Sequence, residues 1–246
     1  MTVKGIDVSN HQEYINWSVV PSDIKFAFIK ASESIDFKDS WFDRNWIGAK
    51  QSGRYRGAYH YARPSRNEPV SEAHFFLDSI KYQELEPGDI LVLDMEDPDF
   101  SGDVISWTLY FLQIVESIVG FNALLYSGNW YLDSRMPMPH RNVLQPYNLW
   151  LASYQETKPG PPLPWTGYEF WQYSDKGRVR GISRNVDLNE FSGELLDIPL
   201  YGKPAPGTSE IQKLLDRADT TIGNMNEEIA KLQAITADMR KILENK

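Results

Sequence analysis

Residues 90–97 read Ile-Leu-Val-Leu-Asp-Met-Glu-Asp. An apolar run ends in two carboxylates, Asp94 and Glu96, at positions i and i+2. Alternate side chains of a β-strand point the same way, so the pair would share one face. Neighbouring carboxylates repel, and each makes the other hold its proton more tightly. Chains carry such pairs where acid–base chemistry needs them. The competing reading is a solvated acidic turn after a buried strand, since Pro98 follows. Asp97 directly follows Glu96. It would point to the opposite face if the strand persists and join the cluster if the strand bends.

These residues need elements to position them. Apolar, β-rich runs at 3–8, 25–31, 55–61, 90–94 and 123–127 predict strands. Helical spacing predicts helices over 41–51, 71–80 and 104–119, with Gly53 and Gly120 at helix stops. Strands alternating with helices imply parallel pairing through right-handed crossovers. Later runs at 149–152, 169–173 and 185–188 are joined by Pro- and Gly-rich loops instead of helices. The expected fold class is therefore α/β, an irregular (β/α) barrel whose later strands are helix-poor. Asp7, Lys30, Tyr61, Asp94 with Glu96, Tyr126, Trp150, Gln172 and Asp187 all fall at or just past the C-terminal end of an expected strand. In parallel barrels that rim is where active sites are built.

Bulk properties narrow the partners. The net charge of -9 argues against nucleic acid, whose phosphates need clustered Lys and Arg. The chain has no cysteine, which excludes disulfides and cysteine-based zinc sites. His11 and His60 lack partners at metal-ligand spacing, so no metal or cofactor is expected. The first residues show no apolar signal-peptide core, and no stretch is long enough to span a bilayer. Eight Trp and 13 Tyr exceed what packing alone requires, and their flat apolar faces suit sugar rings as well as cores.

The composition changes near Pro199. Residues 1–199 are read as the catalytic barrel and 200–209 as a Pro/Gly linker. Within 210–246, apolar residues from Ile211 to Leu243 alternate steps of four and three. That seam predicts a C-terminal coiled-coil helix and a homo-oligomer. Folding back on the barrel, or docking to another protein, is the alternative.

The ordered motifs resemble a known family. Gly5-Ile6-Asp7-Val8-Ser9 with Gln12, Phe28-Ile29-Lys30-Ala31-Ser32-Glu33, Gly57-Ala58-Tyr59-His60-Tyr61, Leu93-Asp94-Met95-Glu96, Leu149-Trp150-Leu151-Ala152 and Trp171-Gln172-Tyr173 with Val186-Asp187 are similar to those of glycoside hydrolase family 25 lysozymes. The resemblance covers about residues 3–192. These are N-acetylmuramidases of bacteria and phages with an irregular barrel whose later strands lack helices. The resemblance implies hydrolysis of peptidoglycan glycan strands, with Glu96 as general acid and Asp94 ionised beside it. Asp7 and Asp187 serve as charge and hydrogen-bond partners. Lys30, Glu33, Tyr59, Tyr61, Tyr126, Trp150, Trp171 and Gln172 are the substrate-binding candidates. Substrate-assisted retention, direct nucleophilic attack and inversion all stay open. With no leader peptide and an appended segment, the chain looks like a phage endolysin, made in the host cytoplasm and released onto the wall. The competing readings are a wall-binding or virion structural protein on the same barrel, and an unrelated barrel hydrolase acting on another acetamido sugar.

Overall fold

The computed structural model describes residues 2–204. The linker remainder at 205–209 and the expected coiled coil at 210–246 lie outside the described residues. The described residues form nine strands: β1 (Val3–Val8), β2 (Ile24–Glu33), β3 (Phe37–Lys38), β4 (Tyr55–Tyr61), β5 (Ile90–Asp94), β6 (Leu124–Gly128), β7 (Leu149–Ala152), β8 (Phe170–Gly177) and β9 (Val186–Phe191). Four α-helices accompany them: α1 (Phe42–Gln51), α2 (Pro69–Ile80), α3 (Val104–Val119) and α4 (Asn129–Arg135).

The sheet runs β1-β9-β8-β7-β6-β5-β4-β2, and pairing of β1 with β2 closes it into an eight-stranded barrel. β3 hangs on the end of β2 as a hairpin. Helices α1 to α4 fill the connections from β3 through β7, and no α-helix follows β7 among the described residues. The expected irregular α/β barrel is thus the observed one. α3 starts where Asp103 accepts a hydrogen bond from the Ser106 amide at 3.0 Å. It stops at Gly120, whose φ of 81° favours glycine.

Two features differ from expectation. β9 is antiparallel to both neighbours, β8 and β1. With no crossover helix between them, β8 and β9 form a hairpin, which forces the reversal. Asp187 therefore lies near the start of its strand, not at its C-terminal end, and the reversal still brings it to the same rim. The barrel unit also extends beyond residue 199. The Lys203 amide donates to the Asp89 carbonyl at 2.8 Å, and Tyr201 packs on Phe170 and Phe191. Residues 200–203, read as linker, are part of the barrel unit.

Alternation along each strand separates two apolar layers. Outward residues such as Ile6, Ile29, Leu91 and Leu93 meet the helices. Inward residues Val3, Phe26, Phe28, Val92, Leu124, Trp150, Phe170 and Phe191 fill the barrel floor. Phe28 and Phe170 meet edge to face with ring centres 4.9 Å apart. Room for these rings comes from glycine: a Cβ at Gly5 would lie 2.3 Å from Phe26, and one at Gly57 2.4 Å from Phe28.

Candidate active site

One inward position above this floor, the side chains turn acidic. On β1 the inward series Val3, Gly5 ends in Asp7, and on β5 the series Ile90, Val92 ends in Asp94. Extended pairing persists past β5, because the Met95 amide donates to the Tyr126 carbonyl at 3.0 Å. Met95 is buried on the outward side. Glu96 therefore follows Asp94 onto the inner face and stands half-buried at the edge of a cleft. Asp97 does not join them. Its buried carboxylate accepts from the Ser65 amide at 3.0 Å and the Asp99 amide at 3.3 Å, with Arg63 at 3.5 Å. Those hydrogen bonds outweigh burial and hold its pKa below the usual carboxylate range.

Asp7 and Asp187 face each other across the β1–β9 register. One oxygen of Asp7 accepts from Gln172 at 2.9 Å and from Asn189 at 2.7 Å. Asp187 donates a hydrogen bond to Asp7. Burial, the Asp7 charge and that bond push Asp187 up to about 9. Asp7 itself is raised by burial despite its three donors. Burial and then the Asp7 charge raise Glu96 to about 7, against the pull of Lys30 and Arg63.

Asp94 departs from the expectation that it stays ionised. Burial and the Glu96 charge hold its pKa well above the carboxylate range, Lys30 only partly opposing them. One of its oxygens is buried with no hydrogen-bond partner. The cluster thus retains protons that isolated carboxyls would lose at neutral pH.

A cationic edge borders the acids. Glu33 accepts from Lys30 at 2.6 Å and pairs with Arg63 at 2.7 Å. These two partners overcome burial and lower its pKa. Both cations lie over the Tyr61 ring, Lys30 at 5.0 Å and Arg63 at 4.5 Å. Behind the barrel wall a fully buried chain supports Arg63. His60 bridges Ser32 at 2.8 Å and Glu72 at 2.9 Å, and Glu72 accepts from the Arg63 amide at 2.9 Å. Burial lowers the His60 pKa, against the raising effect of its Glu72 partner. His60 is held between Ser32 and Glu72 as a structural group, and Glu72 went unnoticed on its helix.

The structure gathers most of the substrate-binding candidates. Tyr59, Tyr61, Tyr126 and Gln172 line the acidic bowl. The hydroxyls of Tyr126 and Tyr154 each donate to the Gln172 side-chain oxygen at 2.9 Å, so Gln172 ties the aromatic side to Asp7. Trp150 is 2% exposed, its indole N–H on Asn189 at 2.8 Å and its ring against Tyr126, 4.4 Å between centres. It is a floor under the site and offers no face to a ligand. Trp171 is not brought to the site. Its side chain points outward between Phe170 and Gln172 and donates to the Ser153 carbonyl at 2.9 Å. Sequence reasoning missed Asn189, Asn129, Trp130 and Tyr154. The last three line a cleft of about 240 Å³ with Glu96 and Tyr126. Trp130 is 56% exposed and Tyr154 55%, which makes them the free aromatic faces. Their signal was an aromatic just past a strand end, at the first turn of α4 and after β7.

The model of the family described as Glycosyl hydrolases family 25 matches residues 6–182. This chain belongs to glycosyl hydrolase family 25. It is 32% identical to Lysozyme M1 of Streptomyces globisporus over 205 residues, spanning 78% of this chain and 68% of the relative. Its fold is similar to that of the bacterial lysozyme of Streptomyces coelicolor, with a TM-score of 0.72, 29% identity and coverage of 82% and 98% of the two chains. It is also similar to the catalytic domain of endolysin ply40 from bacteriophage P40 of Listeria monocytogenes, with a TM-score of 0.67, 27% identity and coverage of 82% and 98%. The protein is a glycoside hydrolase.

In this family 25 hydrolase Glu96, raised to about 7 by burial and the Asp7 charge, is open to the aromatic cleft, and Asp7 and Asp94 are buried in the same barrel. Among the described residues, no helix is long and apolar enough to cross a membrane.

Proposed function

We propose that this enzyme hydrolyses the β-1,4 bond between N-acetylmuramic acid and N-acetylglucosamine in bacterial peptidoglycan. The observation that carries the reading is the setting of Glu96, a half-buried carboxyl raised to about 7 at the edge of an aromatic cleft. Glu96 delivers its proton to the leaving glycosidic oxygen. Asp94, deeper and without a donor to one oxygen, stands where developing positive charge favours its ionised form. Asp7 carries the anionic charge stabilised by Gln172 and Asn189, and Asp187 holds the proton between them. Trp130 and Tyr154 offer faces to the sugars, with Tyr126 and Tyr59 below them. The likeness to lysozymes supports the substrate class, and the likeness to the catalytic domain of a phage endolysin supports a role in lysing a bacterial host by acting on its wall.

Release of reducing ends from purified cell walls tests the reading. Wild type should generate them and Glu96→Gln should not; equal release by both would remove Glu96 from the role of acid. From the heptad pattern alone we also propose that residues 210–246 self-associate, which would raise avidity for a repetitive wall. Sedimentation of the full chain against residues 1–204 tests this, and a monomer in both cases overturns it.

A further inference from the structure

Besides the aromatic cleft beside Glu96, a second cleft, with a volume of about 480 Å³, lies on the side of β2 and β3. Asn10, Lys30, Glu33, Asp36, Phe37 and Arg66 are among its lining residues. Lys30 and Glu33 form a 2.6 Å ion pair in its lining, and Lys30 also lies over the Tyr61 ring at 5.0 Å, on the side of the acidic bowl.

The two clefts differ in chemistry. The first offers the rings of Tyr126, Trp130 and Tyr154, which suit the apolar faces of sugars. The second offers charges of both signs and one aromatic, Phe37, whose face is taken by Lys30 at 5.6 Å. Arg66 is exposed on the turn after β4 and makes no ion pair among the described residues. A peptide carries groups that match this lining in charge: free carboxylates for the cations, an ammonium group for the carboxylates, and backbone amides for Asn10.

Peptidoglycan strands carry such a peptide on the lactyl group of every muramic acid residue. We propose that the charged cleft binds this peptide, so that the enzyme cleaves peptide-bearing strands in preference to bare glycan. Arg66 takes a stem carboxylate, Asp36 takes the ammonium of a diamino acid, and Asn10 meets a backbone amide. The inference rests on the muramidase reading above.

The test uses the full chain and two soluble substrates: glycan strands that keep their peptides, and the same strands stripped by an amidase. The measurement is kcat/KM for release of reducing ends. Wild type should favour the peptide-bearing strand by about tenfold, the size of one charge-assisted contact. Arg66→Glu should abolish most of that ratio, chiefly through KM. Asp36→Lys should lower it for stems with a free ammonium and spare it for stems acetylated there. Both side chains are exposed, and thermal unfolding of the variants verifies that they fold. A ratio near one in wild type, or a ratio unchanged in both variants, overturns this inference alone. Release of reducing ends from neither strand overturns the muramidase reading and takes this inference with it.

Discussion

Gly5 and Asp7 are two residues apart on β1, and Val92 and Asp94 are two apart on β5. Each pair points into the same barrel, yet the surroundings of its members are opposites. Gly5 and Val92 belong to a floor where Phe26, Phe28, Phe170 and Trp150 interlock, all at most 2% exposed. Asp7 and Asp94 belong to a rim where carboxyls are crowded and one oxygen has no partner. Burial stabilises the fold in the floor. In the rim the same burial opposes ionisation, raises proton affinity and costs stability. The comparison teaches that the packed floor holds strained electrostatics in place, and that the strain is what chemistry uses.

Substitutions at the two levels should separate these effects. Glu96→Gln should lower kcat by roughly 10²–10⁴-fold without lowering the unfolding midpoint, because it removes the proposed general acid and not a packing element. Reducing-end assays and urea denaturation on one preparation measure both. Phe170→Ala should do the reverse in kind, destabilising by about 3–5 kcal/mol through the cavity it leaves. If it lost activity with no loss of stability, the floor would not be the support argued here.

The pH profile gives the next largest effect. As the proposed acid, Glu96 must carry a proton to act, so kcat/KM of the free enzyme should fall as pH rises through about 7. A rate that climbs through that range would assign Glu96 a basic role. Stability should follow the same carboxyls. Glu96 and Asp187 have raised pKa values, about 7 and about 9, so their protonated forms favour the folded state. That stability is present below roughly pH 4 and is lost as pH rises through those values. Glu33 and Asp97 have lowered values, and their contribution is lost in the opposite direction, as pH falls below the ordinary carboxylate range. Thermal midpoints should therefore peak in mildly acid solution and decline towards pH 9. The smallest expected change is at Asp187→Asn. It removes a group that resists ionisation beside Asp7 and should raise the midpoint at pH 8 by a few degrees, more than at pH 5. An equal shift at both pH values would mean that charge is not the cause.

Much of the barrel was legible because its signals are local. Runs of β-rich residues, helical stripes and the stops at Gly53 and Gly120 act over a few residues, and β1, β4, β5 and α3 fall where those signals place them. The short β3 and the seven-residue α4 escaped notice because neither is long enough to show a period. Residues 200–203 read as linker from Pro and Gly content, but packing of Tyr201 and the bonds of Lys203 hold them to the barrel. Trp171 is a stacking candidate from the sequence beside Trp150, which lies nearer the expected rim. Alternation sends Trp171 outward, and only the register of β8 says which way.

The sequence by itself determined that Asp94 and Glu96 share a face, since strand geometry makes that a property of spacing. It also determined the family resemblance, through motifs whose order survives in a single chain. Tertiary structure alone decided that Asp97 turns to Ser65 and Arg63, that a reversed strand delivers Asp187, and that Trp130 and Tyr154 join Glu96. It also decided that Asp94 resists ionisation. Each of these depends on which distant segments meet and how much water they exclude, and neither is written in the spacing of neighbouring residues.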